Sequence, residues 1–411
     1  MRLVHAADLH LDSPLLGLSR LEDSDLAGTL RRATRRACEN LVDLCVAERA
    51  DALLLAGDVY DGNWRDYATG AFFVRQLARL HEEGVPVFLI NGNHDAESEI
   101  TRSLRLPPNV HRLATDRPET VVLDDLGLAV HGQGFATRAV LENLVPAYPD
   151  PIPGLVNAGL LHTSVTGAEG HDSYAPCTPE DLERCRYEYF ALGHVHDRRV
   201  VNDGEFVAAF SGNLQGRHPR EPGAKGATVI DVEPGGRARL RHAVCDVARW
   251  THVRLDASAC RDADEVLEAL DGELREIGLA AGSRPVAARV TLSGATPAAA
   301  ALLDAEWLRA EIDIVAEKSG AVVETVRNRT RMLRASAPTA AVDEELAGAV
   351  AAAATRLVAD PAQVGELVAP LEREAGRRLR SAGLDLRDPA SLAELARRAE
   401  EELLARLAGE R

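Results

Sequence analysis

Two pairs of side chains that commonly bind metals stand two positions apart in the sequence. Asp8 and His10 form the first pair, and His194 and His196 form the second. In an extended segment, side chains at positions i and i+2 point to the same side, so each pair could hold one ion. Either pair alone is weak evidence for a metal site, because most polar loop residues do no chemistry.

Three further segments strengthen the prediction of a metal site. Gly57-Asp58 follows an apolar run and places a carboxylate at a tight turn, and Asn93-His94 follows another and supplies an amide oxygen and an imidazole; His162 ends a third run. Hard divalent ions prefer carboxylate and amide oxygens, whereas Mn, Fe and Zn also accept neutral imidazole. The mixed set therefore predicts transition-metal chemistry.

A pair of such ions would suit phosphate ester hydrolysis. Two ions about 3.5–4 Å apart can share a carboxylate and hold the attacking and leaving oxygens of an in-line displacement. Asp58 is the natural bridge. Two divalent ions carry four positive charges, of which ionised Asp8 and Asp58 cancel only two, so the site would favour hydroxide and a phosphate oxygen.

Short apolar runs of strand length precede these polar residues. In a layered α/β domain, loops at the carboxyl ends of strands can converge while the sheet holds them rigidly. Strand-like runs alternate with helical periodicity from residue 1 to about 245, which predicts such a domain there. The five strands that deliver polar residues are predicted at 4–7, 52–56, 87–90, 156–161 and 189–192.

Two further regions are predicted after residue 245. A small α/β domain over 246–334 is indicated by strands at 251–255, 286–292 and 321–326 and by helices at 262–277 and 297–312. Residues 335–339 have the composition of a linker. Residues 341–411 are predicted to form two or three amphipathic helices, with an apolar stripe that includes Leu346, Val350, Leu357, Leu367, Leu371 and Leu379.

The ordered motifs resemble the calcineurin-like metallophosphoesterase superfamily. They are Asp8-x-His10, Gly57-Asp58, Gly92-Asn93-His94-Asp95, His162 and Gly193-His194-x-His196. The fuller strings resemble the SbcD-like DNA repair exonucleases, especially the YhaO-like branch: AADLHLDSPLLGL, LLLAGDVYD, NGNHD, LLHTSVTG, ALGHVHDR and SGNLQGRHPREPGAKG. The resemblance is strong over 1–245, weaker over 246–334 and negligible beyond. It implies a four-layer αββα sandwich, a small α/β capping domain and a C-terminal helical segment.

The resemblance also implies a role for each motif residue. One ion would be held by Asp8, His10, Asp58 and His196, and the other by Asp58, Asn93, His162 and His194. His94 would stabilise or protonate the leaving oxygen and Asp95 would orient it, while a metal-bound water would be the nucleophile. Manganese is the expected metal, with Fe, Zn or Mg as alternatives. Asp61 stands where some relatives carry His, so we expect it to orient a ligand; it is also a candidate for substrate binding.

A basic, glycine-punctuated loop over 211–220 is a candidate for substrate binding. Its Arg217 and Arg220 could hold substrate phosphates, with Asn213 and His218 as further candidates; a turn with surface arginines is the equally favoured alternative. A second arginine cluster, at positions 31, 32, 35 and 36, is more typical of a solvated helix face than of a DNA contact.

Composition limits the classes of function. The chain has 411 residues, enough for two or three domains, and no run of about 18 apolar residues that would span a membrane. Six cysteines without a C-x-x-C pair favour reduced thiols and a cytoplasmic location. The net charge of −17 argues against simple electrostatic capture of nucleic acid, although uneven charge distribution and bound metal ions would offset it.

The resemblance favours a manganese-dependent nuclease acting on DNA. It also implies a coiled-coil ATPase partner of the SMC type, bound by residues 341–411, and a homodimer formed through the nuclease domain. A second hypothesis keeps the metal site but changes the substrate to a nucleotide, a cyclic nucleotide or a phosphoprotein. A third, a non-catalytic binding subunit, is disfavoured because every expected ligand and His94 are present.

Overall fold

The structure is a computed structural model that describes residues 1–13, 32–61, 67–97, 104–165, 174–332, 344–381 and 384–409. The predicted linker at 335–339 and Arg31 of the arginine cluster lie outside these ranges. The chain divides into two compact units. The first contains Met1–Thr251 and Gly278–Ala288, and the second contains His252–Ile277 and Arg289–Arg411. The predicted division into three domains remains a proposal.

The described residues form fifteen strands and eight α-helices. The strands are β1 (Arg2–Ala6), β2 (Ala52–Leu55), β3 (Val87–Leu89), β4 (Val110–Arg112), β5 (Glu119–Leu123), β6 (Leu128–Gln133), β7 (Val156–His162), β8 (Tyr189–Gly193), β9 (Arg199–Asp203), β10 (Val207–Phe210), β11 (Gly226–Asp231), β12 (Arg239–Val244), β13 (Arg249–Asp256), β14 (Val286–Ala295) and β15 (Ala321–Arg331). The helices are α1 (Ala33–Ala47), α2 (Tyr67–Glu82), α3 (Pro179–Arg184), α4 (Ala263–Ala281), α5 (Ala305–Lys318), α6 (Glu344–Ala359), α7 (Pro361–Ser381) and α8 (Pro389–Gly409).

The first unit contains two six-stranded sheets. Their strand orders are β12-β11-β1-β2-β3-β4 and β5-β6-β7-β8-β10-β9. Strands β1 to β4 are parallel to one another, as are β6, β7, β8 and β10. The carboxyl ends of adjacent parallel strands lie at one edge of a sheet, so the loops that follow β1, β2 and β3 lie close together.

Alternation along the strands builds a four-layer core. Leu3, Leu54 and Phe88 of the first sheet belong to one apolar cluster with Leu160 and Tyr189 of the second sheet. The alternate residues of the first sheet, such as Val4 and Leu53, pack instead with Leu41 of α1 and Leu77 of α2. On the outer face of the second sheet, Phe190 and Leu192 pack with Leu182 of α3. The layers therefore run α, β, β, α, which confirms the predicted sandwich.

The second unit differs in one element from the prediction. Sequence periodicity predicts one helix over 297–312, but the structure has a 3-10 helix over Pro297–Leu303 and then α5. Asp304 causes the break, because its carboxylate accepts hydrogen bonds from the backbone amides of Glu306 and Trp307 at 3.1 and 3.0 Å. Such a cap starts a new helix.

The three C-terminal helices pack against one another through a small apolar cluster. Its buried members are Val364 of α7 and Leu392 and Ala396 of α8, and partly buried Leu357 and Val358 of α6 contact them. Among the helices in the described ranges, none combines the length and the hydropathy needed to cross a membrane.

Candidate metal centre

The site is assembled from loops that follow strands of both sheets in the first unit. The first sheet supplies Asp8 and His10 after β1, Asp58 after β2 and Asn93 after β3. From the second sheet come His162, the last residue of β7, and the two histidines that follow β8: His194 and His196. All seven predicted metal ligands are described, and five of them have less than 5 % of their surface exposed.

Ring nitrogens and carboxylate oxygens converge at short separations. His10 Nε2 lies 3.2 Å from His196 Nε2, and His162 Nε2 lies 3.0 Å from the Oδ1 atom of Asn93. Asp58 Oδ2 lies between them, 3.5 Å from His162 Nε2 and 3.9 Å from His10 Nε2. The site therefore places the Asp58 carboxylate centrally, where a bridging ligand would be needed.

The backbone that carries these residues is unusual. Asp8, His10, Asp58 and His194 adopt positive φ angles of 52°, 41°, 53° and 99°. Residues other than glycine rarely adopt such angles, and they cluster at sites where the surrounding structure imposes them for function. The strain is an independent indication that this is the functional site.

Two glycines allow the loops to approach one another. A Cβ atom on Gly92 would lie 2.2 Å from Asp58 Oδ1, and one on Gly193 would lie 1.9 Å from the carbonyl oxygen of Ala56. Both distances are far below van der Waals contact, so any side chain at either position would push the strand ends apart. The glycines of the Gly-Asn-His-Asp and Gly-His-x-His motifs are thus required by packing.

The pKa values of the histidine ligands are shifted in opposite directions. Burial lowers the pKa of His10 to about 3, with the positive charge of Arg217 acting in the same direction. Burial also disfavours a charge on His162, but the adjacent Asp58 carboxylate outweighs this effect and raises the His162 pKa to about 9. Burial would raise the pKa of Asp58, yet His162 holds it below its usual range. Asp58 is therefore a buried carboxylate whose charge is stabilised by the His162 ring.

The donor set fits divalent metal ions. Three overlapping groups bring ligand atoms within 4.8 Å of one another: Asp8, His10 and His196; His10, Asp58 and His94; and Asp8, Asp58 and His162. Bonds of about 2.0–2.2 Å to one ion separate its ligand atoms by roughly 3–4 Å, which is the range found for His10 with His196 and for His162 with Asp58. Carboxylate, amide and imidazole together suit transition metals.

Two of the histidines have Nδ1 held by a hydrogen-bond acceptor. His162 Nδ1 lies 2.9 Å from the carbonyl oxygen of Ala56, and His196 Nδ1 lies 2.6 Å from Glu221 Oε1. Since both partners can only accept, each Nδ1 carries a proton, and Nε2 is the nitrogen that could bind a metal ion. His194 is placed differently: its backbone amide donates to the Asp8 carboxylate at 3.1 Å, and its ring centre lies 5.3 Å from that of His162.

The contact to His94 differs from the prediction. Asp95 is the residue predicted to orient His94, but the Asp95 carboxylate accepts hydrogen bonds from the backbone amides of Val59, Tyr60 and Gly92 at 3.0–3.2 Å. The carboxylate beside His94 is Asp61, whose Oδ1 lies 3.2 Å from His94 Nδ1. Sequence proximity favoured Asp95, whereas the fold uses that side chain to tie the β2 and β3 loops together.

Asp61 also lies beside a predicted metal ligand. Its Oδ1 is 3.5 Å from His10 Nδ1, and its Oδ2 accepts a hydrogen bond from Ser13 Oγ at 2.7 Å. Asp61 therefore lies within reach of a predicted ligand, and its role in orienting that ligand remains a proposal.

The basic loop lies next to the site, but its residues are placed unequally. Asn213 is 1 % exposed and donates from Nδ2 to the backbone oxygen of Gln215 and to Glu221 Oε2, both at 2.9 Å. Arg217 is largely buried, with Nη1 3.2 Å from Ser13 Oγ. His218 is partly buried and Arg220 is exposed. Asn213 therefore shapes the loop, and Arg217 is the member closest to the metal centre.

Glu221 is the residue that sequence reasoning missed. It lies inside the string SGNLQGRHPREPGAKG but belongs to no recognised ligand spacing. Its signal was a single carboxylate directly after three basic side chains, which indicates a loop organised around an acidic centre.

Comparison with known proteins places the chain in a family. Residues 1–198 match the calcineurin-like phosphoesterase family, and residues 250–331 match the middle domain of metallophosphoesterase YhaO. The chain is 32 % identical over 314 residues to the uncharacterized metallophosphoesterase YhaO of Bacillus subtilis, covering 75 % of this chain and 73 % of that protein. It therefore belongs to the calcineurin-like metallophosphoesterases, a family of metal-dependent hydrolases, and the resemblance inferred from its motifs is confirmed.

More distant relatives carry names that refer to DNA repair or to a nuclease. The DNA double-strand break repair protein Mre11 of Sulfurisphaera tokodaii is 24 % identical over 284 residues, covering 64 % of this chain and 67 % of that protein. One of the subunits of the nuclease SbcCD of Bacillus subtilis is 25 % identical over 276 residues, covering 58 % of this chain and 68 % of that protein.

Proposed function

We propose that this protein is a two-metal phosphodiesterase that hydrolyses DNA, with manganese as the metal. The observation that carries the proposal is the convergence of imidazole nitrogens and carboxylate oxygens around Asp58, in a chain whose distant relatives include a DNA repair protein and a nuclease component. Bound divalent ions would supply Lewis acidity to the phosphate oxygens and a nucleophile at neutral pH.

We assign the ligands as two sets that share Asp58. Asp8, His10 and His196 complete the first set. The second set adds Asn93 and His162, whose ligand atoms lie 3.0 Å apart, together with His194. The buried carboxylates would balance part of the charge of the ions, and the short strand-end loops would keep the ligands in place.

His94 is the group that we expect to protonate the leaving oxygen. The Asp61 carboxylate holds its Nδ1 proton, which leaves Nε2 as the nitrogen that can pass a proton to substrate. Burial lowers the pKa of His94, but the hydrogen bond to Asp61 and the charge of Asp58 outweigh it, so the pKa is raised. This shift favours the protonated ring. The side chain is 30 % exposed, so substrate can reach it.

The remaining candidate residues would contact the phosphate or a partner. Arg217 and the exposed Arg220 are proposed to bind DNA phosphates, with His218 beside them. Helices α6 to α8 present exposed leucines, which suits the proposed binding of a coiled-coil ATPase of the SMC type. We also keep the proposals of a homodimer and of a cytoplasmic location.

The test is cleavage of end-labelled DNA by the purified full chain. Duplex, hairpin and single-stranded DNA are incubated with wild type and His94→Ala in Mn²⁺, and each product is sized on a denaturing gel. We expect wild type to cut at least one DNA form, and the variant to cut it about 10²–10⁴ times more slowly because a general acid is lost. A wild type that binds metal but leaves all three intact would disprove the DNA proposal.

The second candidate is the same chemistry on a small phosphoester. The net charge of −17 favours it, because DNA affinity depends on basic residues that neutralise phosphates. A parallel assay with cyclic nucleotides, nucleotides and bis-p-nitrophenyl phosphate separates the two. Cleavage of a nucleotide without cleavage of DNA would favour the second candidate.

A further inference from the structure

The basic loop is organised around one buried carboxylate. The Glu221 side chain is 5 % exposed, and each of its oxygens accepts more than one hydrogen bond or ion pair. Oε2 accepts from the backbone amide of Arg217 at 2.7 Å and from Asn213 Nδ2 at 2.9 Å. These two contacts hold the loop closed and would be satisfied by any acceptor that only shapes a turn.

The other oxygen of Glu221 contacts the metal centre instead. Oε1 accepts from His196 Nδ1 at 2.6 Å, and it lies 3.4 Å from Arg217 Nη2. A carboxylate in this position fixes the orientation of the ring and directs Nε2 toward the ion. His196 Nε2 is the atom that lies 3.2 Å from His10 Nε2.

The same oxygen sets the position of the Arg217 guanidinium. Arg217 Nη1 lies 3.2 Å from Ser13 Oγ and 3.8 Å from Asp61 Oδ1, so the group extends from Glu221 toward the residues that flank His10 and His94. Its Nε is buried and has no hydrogen-bond partner among the described atoms. Glu221 and Asp61 neutralise the charge of the Arg217 guanidinium only in part, because both contacts are longer than those of a bidentate ion pair.

We infer that Glu221 is a positioning residue that couples metal binding to phosphate binding: it fixes the His196 ring for one ion and holds the Arg217 guanidinium beside that ion to receive a phosphate oxygen. This rests on the proposed metal centre and deepens it. An amide could not replace the carboxylate, because donors approach both of its oxygens and the NH₂ group of glutamine would face one of them.

The test measures metal binding and phosphate binding separately. Mn²⁺ alone is the probe for the first, and bis-p-nitrophenyl phosphate is the probe for the second. Isothermal titration with Mn²⁺ is carried out on the full chain as wild type, Glu221→Gln, Arg217→Gln and Glu324→Gln. Glu324 is the matched control, a buried carboxylate that pairs with Arg289 at 2.9 Å in the second unit. We expect Glu221→Gln to lower the affinity for one of the two Mn²⁺ ions by about 10- to 100-fold, and Glu324→Gln to leave the affinities for both ions unchanged.

Substrate kinetics complete the test. Arg217→Gln should raise KM severalfold for bis-p-nitrophenyl phosphate while Mn²⁺ affinity stays at the wild-type value, and Glu221→Gln should change both. A folded Glu221→Gln that binds both ions as wild type does would overturn the inference, as would an Arg217→Gln that leaves KM unchanged.

A measurement on wild type covers the case in which Glu221→Gln does not fold. Nitrogen-15 spectra of the histidine rings, with His196 assigned by its loss in His196→Gln, should show the Nδ1-protonated tautomer, and the Nε2-protonated form would contradict the inference. Failure of the proposed function can be distinguished from failure of this inference. A wild type that binds two ions but cuts no DNA leaves the role of Glu221 intact, whereas a wild type that binds no Mn²⁺ removes the metal centre and this inference with it.

Discussion

The metal centre of the first unit buries polar side chains, whereas the C-terminal helices of the second unit leave apolar side chains exposed. The centre buries Asp8, His10 and Asp58 almost completely. The helices expose Leu367 and Leu371, which are 67 % and 47 % accessible. A buried polar group is costly unless specific partners compensate it. The polar residues of the centre can therefore be buried only where each has a fixed position and a fixed partner.

Several ion pairs of the helices join residues of the same helix, although Glu394 also lies 3.4 Å from Arg331 of β15. Glu394 of α8 pairs with Arg397 and Arg398, which are three and four positions along the same helix. Exposed pairs of this kind contribute little to stability. The comparison teaches that residue identity should matter strongly in the centre and weakly on the helix surface, and each of the following predictions tests that contrast.

The largest effect is expected for Asp58→Asn. The substitution removes the negative charge that both sets of ligands share, so hydrolysis of bis-p-nitrophenyl phosphate in Mn²⁺ should fall on the order of 10³-fold. The paired substitution Glu394→Gln on α8 should leave the rate at the wild-type value. Activity of Asp58→Asn within tenfold of wild type would refute a central role for this carboxylate.

The second prediction separates Asp61 from Asp95. Asp61→Asn should lower kcat by about 10²-fold, because His94 loses the partner that orients its ring. Asp95→Asn should instead lower the free energy of unfolding by about 1–3 kcal/mol, because one of the two oxygens that accept from buried amides becomes an NH₂ donor. Steady-state kinetics and thermal melts of both variants decide. If Asp95→Asn caused the larger kcat loss at unchanged stability, the role that the sequence predicts for Asp95 would be restored.

A third prediction concerns His5, which is buried in β1 and hydrogen-bonded to the Tyr189 hydroxyl at 2.8 Å. Burial lowers its pKa to about 3 from an ordinary value of 6.5. The folded-state pKa is depressed, so the stabilisation is complete above pH 6.5 and is lost as pH falls from 6.5 toward 3. Between about pH 7.5 and 5.0, wild type should lose about 2 kcal/mol more stability than His5→Phe.

Denaturant titration of the two proteins at both pH values measures that difference. Equal losses in wild type and His5→Phe would show that His5 is not held neutral in the folded protein.

The smallest effect is expected on the helix surface. Leu367→Ser should change the free energy of unfolding by no more than about 0.5 kcal/mol, because the side chain is mostly exposed. Leu392→Ala in the buried cluster of the same helices is the control, with an expected cost of about 2–5 kcal/mol. Denaturant titration measures both. A Leu367→Ser variant as unstable as the control would show that this leucine is packed, and the contrast between the two regions would break down.

Much of the fold and the site could be predicted because the signals are local. Five apolar runs of strand length ended in polar motifs, so the convergence of Asp8, Asp58 and His162 could be predicted from the sequence, whereas the order of the strands within each sheet was not. Helix bounds were less certain, as the cap at Asp304 shows. A capping residue acts through two hydrogen bonds that periodicity does not report.

The contacts that only the fold reveals link distant positions. Glu221 and His196 are 25 residues apart, and Asp61 reaches His94 across the loops after β2 and β3. No spacing rule predicts such pairs, because they depend on how the two sheets and their loops pack.

The sequence by itself determined which chemistry is available, since residue type sets what a side chain can ligate, donate or accept, and alternating apolar runs set where strands end. Tertiary structure decided which carboxylate contacts which imidazole. That choice depends on small differences in distance between loops from two sheets, and packing of the whole unit is what sets them.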